Sequence, residues 1–175
     1  MKLIVSAICC AALSWFPALA QSTHASKSRA APMTDQQFVD FAAQTDMLEA
    51  HLGQMAETQA EAQAVKDYAQ MLITDHTDDY QHLGPLAEKI GLSFPRALDA
   101  EHDKMIEPFE KLRGASFDRR YIHEMIEGHT AAITTYKKVA DDAQNEDLRQ
   151  YASETLPTLE KHLDGAKDLL KKGAK

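Results

Sequence analysis

Phe38, Phe41, Thr45, Leu48, Leu52 and Met55 follow one another at steps of three and four residues. That step brings side chains back to one face of an α-helix, whereas a strand needs a step of two. The pattern returns in four later stretches, and no stretch alternates apolar with polar or carries a hairpin signal. A helix with one apolar stripe must bury it against a partner. The expected fold class is therefore all-α.

Thr34 with Gln37 three residues later is a capping-box signature, and the first helix should run from there to about Glu57. A second should run from near Glu61 to Gly91, kinked or broken at Pro85. A short third helix over about 98–112 should turn Leu98, His102, Met105, Phe109 and Leu112 inward. Ser116 is expected to cap a fourth helix that reaches about Ala140, with Tyr121, Met125, His129, Ile133, Tyr136 and Val139 as its stripe. A fifth, bent at Pro157, should run from Asp147 to Lys171 with Leu148, Ala152, Thr155, Leu159, His162, Ala166 and Leu169 inward. Four long helices in two hairpins, joined by a long connection carrying the short helix, make a four-helix bundle over 34–171. Connections of that kind occur in ferritin-like bundles.

The chain begins with Lys2, the apolar run "LIVSAICCAALSWF" and "ALA" at 18–20. This is the form of a secretory signal peptide cut after Ala20, and the run is short for a bilayer span. The polar segment 21–33 reads as a disordered tether. Cleavage would remove both cysteines and leave a chain without thiol chemistry, periplasmic or secreted. It would also remove Lys2, so a net charge of −8 would become −9. An acidic chain of this kind disfavours nucleic acid and anionic membrane as partners, and no later run is long enough to span a membrane.

His76, His129 and His162 each take a stripe position on a different long helix. A bundle turns those stripes toward one axis. His129 lies about 12 residues before the last turn and His162 about 15 after it, a height difference of roughly 4–5 Å, so their rings can meet. On the first hairpin, Glu49 misses the height of His76 by roughly 9 Å, and Asp46, one turn earlier, fits better. Uncertain helix ends keep both as candidates. Neutral imidazoles suit a transition metal such as copper, zinc or iron. Met125 shares a face with His129 and would favour copper, especially Cu(I), unless it only fills the core. Gly128 would leave room for a close neighbour, and Asp75 could orient an imidazole. His51, His82 and His123 lie off the stripes and are expected in solvent. The Glu-x-x-His pairs of di-iron bundles are absent, since Ile73, Ile126 and Leu159 precede the three histidines by three. No Ser-His-Asp spacing or phosphate loop appears, so no catalytic residue is assigned.

The blocks "FVDFAAQTDMLEAHLGQMA", "VKDYAQMLITDH", "FDRRYIHEMIEGH" and "TLPTLEKHL" resemble, in order, those of the bacterial exported family catalogued as domain of unknown function 4142. The resemblance runs from about Phe38 to Leu170. It implies a ferritin-like fold behind a leader peptide, with no settled activity. The family blocks include Glu49, Asp75, His76, Met125, His129 and His162. The resulting expectation is a mononuclear metal site with Glu49, His76, His129 and His162 as ligands, Asp46 and Met125 as further candidates, and Asp75 behind a ligand. The role would be metal binding or protection of the cell envelope. The rival is a non-catalytic envelope or interaction protein whose histidines only stabilise the bundle. A variant of it is a pH-responsive bundle that loses stability in acid.

Overall fold

The computed structural model describes residues 33–173. The leader assigned to 1–20 and the tether up to residue 32 lie outside the described residues. Five helices follow in order: α1 (Asp35–Gln59), α2 (Gln63–Lys89), α3 (Ala100–Glu110), α4 (Ala115–Asp142) and α5 (Glu146–Lys172). There is no strand among the described residues.

The capping box forms as expected, with Thr34 accepting from the Gln37 backbone N–H and the Gln37 side chain accepting from the Thr34 N–H. Gly91, at φ +75°, follows the end of α2 as its left-handed residue. α1 packs on α2 and α4 on α5, while α1 also meets α4 and α2 meets α5. The connection after α2 runs back along α1. Ser93 bonds Gln36, Ala97 and Asp99 bond Gln44, and Phe109 accepts from Gln59. α4 therefore starts beside the α1–α2 turn, and each long helix is antiparallel to both its neighbours.

Three expectations need correction. α2 is not broken at Pro85 but continues through it, and α5, expected to bend at Pro157, likewise stays helical there. Both prolines sit on exposed faces, as do Gln81 and Ser153 four residues earlier, so water can serve the carbonyls they free. Ser116 does not cap α4; its hydroxyl donates to the Arg113 carbonyl, and Gly114 takes the cap position at φ +61°. On α3, Ile106 and Phe109 are buried while Met105 is 39% exposed. Position 105 satisfied the +3/+4 count, but α3 covers the bundle end with the neighbouring face.

The core falls into two apolar clusters. One surrounds Leu52, Leu72, Phe109, Phe117 and Tyr121, near the α1–α2 turn. The other surrounds Phe38, Leu83, Tyr136, Leu148 and Tyr151, near the α4–α5 turn.

Candidate metal centre

Between these clusters lies a layer of five buried ionisable side chains. Asp46 and Glu49 come from α1, His76 from α2, His129 from α4 and His162 from α5, and none exceeds 4% exposure. Each occupies a position where the helix repeat faces the axis. An inward position would ordinarily hold a leucine, because burying charge carries a desolvation penalty.

One nitrogen of each ring is held by an acceptor. His76 Nδ1 lies 2.9 Å from Asp46 Oδ1. His129 Nδ1 lies 2.8 Å from the Met125 carbonyl, which can only accept, so this nitrogen carries the hydrogen. His162 Nε2 lies 2.8 Å from Asp75 Oδ2, at the layer's outer edge. In the neutral rings these bonds turn the bare lone pairs of His76 Nε2, His129 Nε2 and His162 Nδ1 inward. One ligand atom from each of the three rings falls within a span of 4.8 Å.

The inward atoms are close but not bonded as neutral partners. His129 Nε2 and His162 Nδ1 are 3.2 Å apart, lone pair toward lone pair. Glu49 Oε2 is 3.0 Å from His76 Nε2 and 3.3 Å from His129 Nε2. Despite these distances, neither Glu49 Oε2 nor His76 Nε2 has the alignment of a hydrogen bond, and both are fully buried. A cation would relieve this crowding of electron pairs. An ion with bonds of about 2.0–2.1 Å to four tetrahedral ligands holds them roughly 3.3 Å apart, so the residues present fit a small transition-metal ion.

Electrostatics divide the three imidazoles. Burial holds His129 below its ordinary value and brings His162 down to about 4, the latter against the pull of Asp75. Burial also opposes charge on His76, but Glu49 and Asp46 outweigh it and raise the ring to about 10. Glu49 lies among three imidazoles, which overcome its burial and hold the carboxyl at about 2. Burial pushes Asp46 up to about 7 against the attraction of His76. Asp46 and His76 therefore keep a proton between them through neutral pH.

Both first-hairpin candidates reach His76, one at each ring nitrogen. Asp75 serves His162 rather than its neighbour His76. Met125 meets His129 through its backbone carbonyl, and its buried side chain belongs to the apolar cluster. A Cβ at Gly128 would stand 3.3 Å from Glu49 Oε1, so glycine gives that carboxylate its place. His51, His82 and His123 are exposed, and His102 is half-buried beside Asp99 at the start of α3. The sequence reading passed over Asp79 and Tyr151. Tyr151 donates to Asp79 at 2.6 Å just above the layer, and the i, i+4 placement of Asp79 after Asp75 on α2 was the available signal.

A family model described as "Domain of unknown function (DUF4142)" matches residues 19–169. The chain belongs to that family. No curated protein matches it. Among solved structures, a chain described as "CopM in the Cu(II)-bound form" aligns with TM-score 0.67 and 16% identity, over 79% of this chain and 97% of that one. "CopM in the Cu(I)-bound form" aligns with TM-score 0.66 and 15% identity, over 79% of this chain and 96% of the other. A DUF305 fragment from Deinococcus radiodurans aligns with TM-score 0.68 and 16% identity, over 81% of this chain and 99% of that one. At such identities the likeness is one of fold. No helix among the described residues is long and apolar enough to cross a membrane.

Proposed function

We propose that this helical bundle is an exported metal-binding protein, holding one transition-metal ion between His76, His129, His162 and Glu49. The observation that carries the reading is the inward convergence of one nitrogen from each of three rings, each ring fixed by an acceptor behind it. Asp46, Asp75 and the Met125 carbonyl are those acceptors, and such outer partners orient metal-bound histidines. Asp46 and Glu49 together supply the negative charge that balances a divalent ion.

Three nitrogens and one oxygen form a donor set of intermediate softness. That favours Cu(II), then Zn(II) and Fe(II), in the usual order of affinity. With the Met125 side chain in the apolar cluster, the case for Cu(I) loses its soft ligand. The fold likeness to a protein described in Cu(II)-, Cu(I)- and silver-bound forms supports copper as the metal and does not choose its oxidation state. Export rests on the leader-like start of the chain, and metal buffering in the envelope is the role that follows. The geometry assigns no reaction.

The decisive experiment is metal analysis of protein purified from its native compartment, wild type beside His129→Ala. Near-stoichiometric metal in the first and loss in the second are expected. Equal, negligible metal in both would remove the reading. In that event the layer would be a buried ion cluster in a structural protein, a reading favoured by the raised His76 between two carboxylates.

A further inference from the structure

The layer is sealed on most sides, and His129 is 0% exposed. One cleft, of about 320 Å³, opens between α2 and α5 and ends on His76 and His162. Its mouth carries Asp78, Asp79 and Glu154 together with Asp75 and His82. A second cleft, beside His51 and Arg113, touches no residue of the layer.

We propose that the α2–α5 cleft is the route by which a hydrated divalent cation reaches the buried imidazoles, and that Asp78, Asp79 and Glu154 set its rate of arrival. The inference rests on the metal-binding reading above. Its independent support is His76, a ring 3% exposed that lines the cleft, and whose Nε2 faces only the Glu49 carboxylate, 3.0 Å away and out of hydrogen-bond alignment. His162 lines it too, and Asp75 holds the outer nitrogen of that ring at 2.8 Å.

The mouth is built to attract rather than to retain. Asp79 already accepts from Tyr151 and Thr155, and Glu154 from Gln150. Asp75 is shared between His162 and Lys161, whose Nζ stands 3.6 Å away. Carboxylates fixed in this way offer field rather than a full ligand set. A narrow cleft lined by one sign of charge raises the local concentration of counter-ions and their association rate. Further in, Thr155, Thr158 and Leu159 give way to imidazoles, where a cation can exchange water for nitrogen.

The test is stopped-flow mixing of Cu(II) with metal-free protein prepared from the full chain, followed by tyrosine fluorescence. Asp78→Asn with Glu154→Gln removes two exposed charges at the mouth. Glu101→Gln with Asp103→Asn removes the same charge from exposed positions on α3. The mouth pair should load about three- to tenfold more slowly at low salt, with the gap closing at high salt and the final stoichiometry unchanged. The α3 pair should load like wild type. Equal rates in all three proteins, or equal slowing in both pairs, would overturn the route while leaving the metal site standing. Wild type that takes up no Cu(II) would overturn both.

Discussion

At the residue scale, the feature that decides the chemistry is which nitrogen of each imidazole faces inward. Binding a metal to His76 Nε2 must displace the extra proton that keeps this ring charged, with Glu49 at Nε2 and Asp46 at Nδ1, up to about pH 10. His162, at about 4, and His129, held below its ordinary value, are already neutral at pH 7. Metal uptake between pH 7 and 9 should therefore release about one proton, giving roughly a tenfold gain in apparent affinity per pH unit. Calorimetry in buffers of different ionisation enthalpy reads this directly, and uptake without proton release would contradict the assignment of His76. The sequence made the three histidines legible because each fell on a +3/+4 stripe. It left Asp46 and Glu49 undecided because helix ends read from spacing are uncertain by a few residues, and the structure places both against His76, one at each ring nitrogen.

At the element scale, two helix starts cap each other across the bundle. Ala62 offers no side-chain cap to α2, but Asp118 on α4 accepts from the backbone N–H of Glu61 at 3.0 Å and of Ala62 at 2.9 Å. In return the Glu61 side chain accepts from the Ala115 N–H at 2.9 Å, at the start of α4. Asp118→Ala would strand two backbone donors, one of them at the fully buried Asp118–Ala62 contact. It should cost about 1–3 kcal/mol, or roughly 2–10 °C in Tm, and leave the stoichiometry of metal binding intact. A variant that melts like wild type would show that water replaces the carboxylate. This device escaped sequence reasoning because the capping residue belongs to another helix, far along the chain. Local spacing revealed Thr34–Gln37, where donor and acceptor are neighbours, and misassigned Ser116, where they are not. Helix periodicity likewise located the buried face of the long helices, but on α3, whose 11 residues give few turns to fix a face, it placed Phe109 correctly and chose Met105 over Ile106.

At the scale of the whole molecule, a polar layer separates two apolar cores, and its groups pull stability in opposite directions with pH. The metal-free fold gains from neutral His129 and His162 above their unfolded value of about 6.5, and this gain is lost as pH falls below it, for His162 down to about 4. Glu49, held at about 2, adds to the loss below about pH 4.5. His76 has the reverse sign: its contribution is full below about 6.5 and fades as pH climbs toward 10. Thermal melts of metal-free protein should thus peak near neutrality and fall on both sides; melts flat from pH 4 to 10 would contradict this. The expectation of acid lability assumed imidazoles depressed by burial; His129 and His162 are shifted that way, and His76 is shifted the other way.

On the metal-binding reading proposed above, the same layer sacrifices stability for a binding site. Replacing all five residues with leucine removes the charges of the layer together, so the variant should fold and melt roughly 2–10 °C higher while binding no metal in the interior. A lower Tm would mean that the ion cluster holds the bundle together, as the structural rival requires. Side-chain spacing gave the layer its histidines and its height, but not its meaning. Whether a proton or a metal sits among those nitrogens depends on distances that no sequence pattern carries.

X-ray absorption at the copper edge of Cu(II)-loaded protein tests the central claim most directly. The predicted spectrum shows scattering from about three imidazoles at roughly 2.0 Å with one oxygen and no sulfur, and loses imidazole scattering in His129→Ala. A shell of oxygens alone, or one unchanged by that substitution, would place the ion outside the layer and contradict the account.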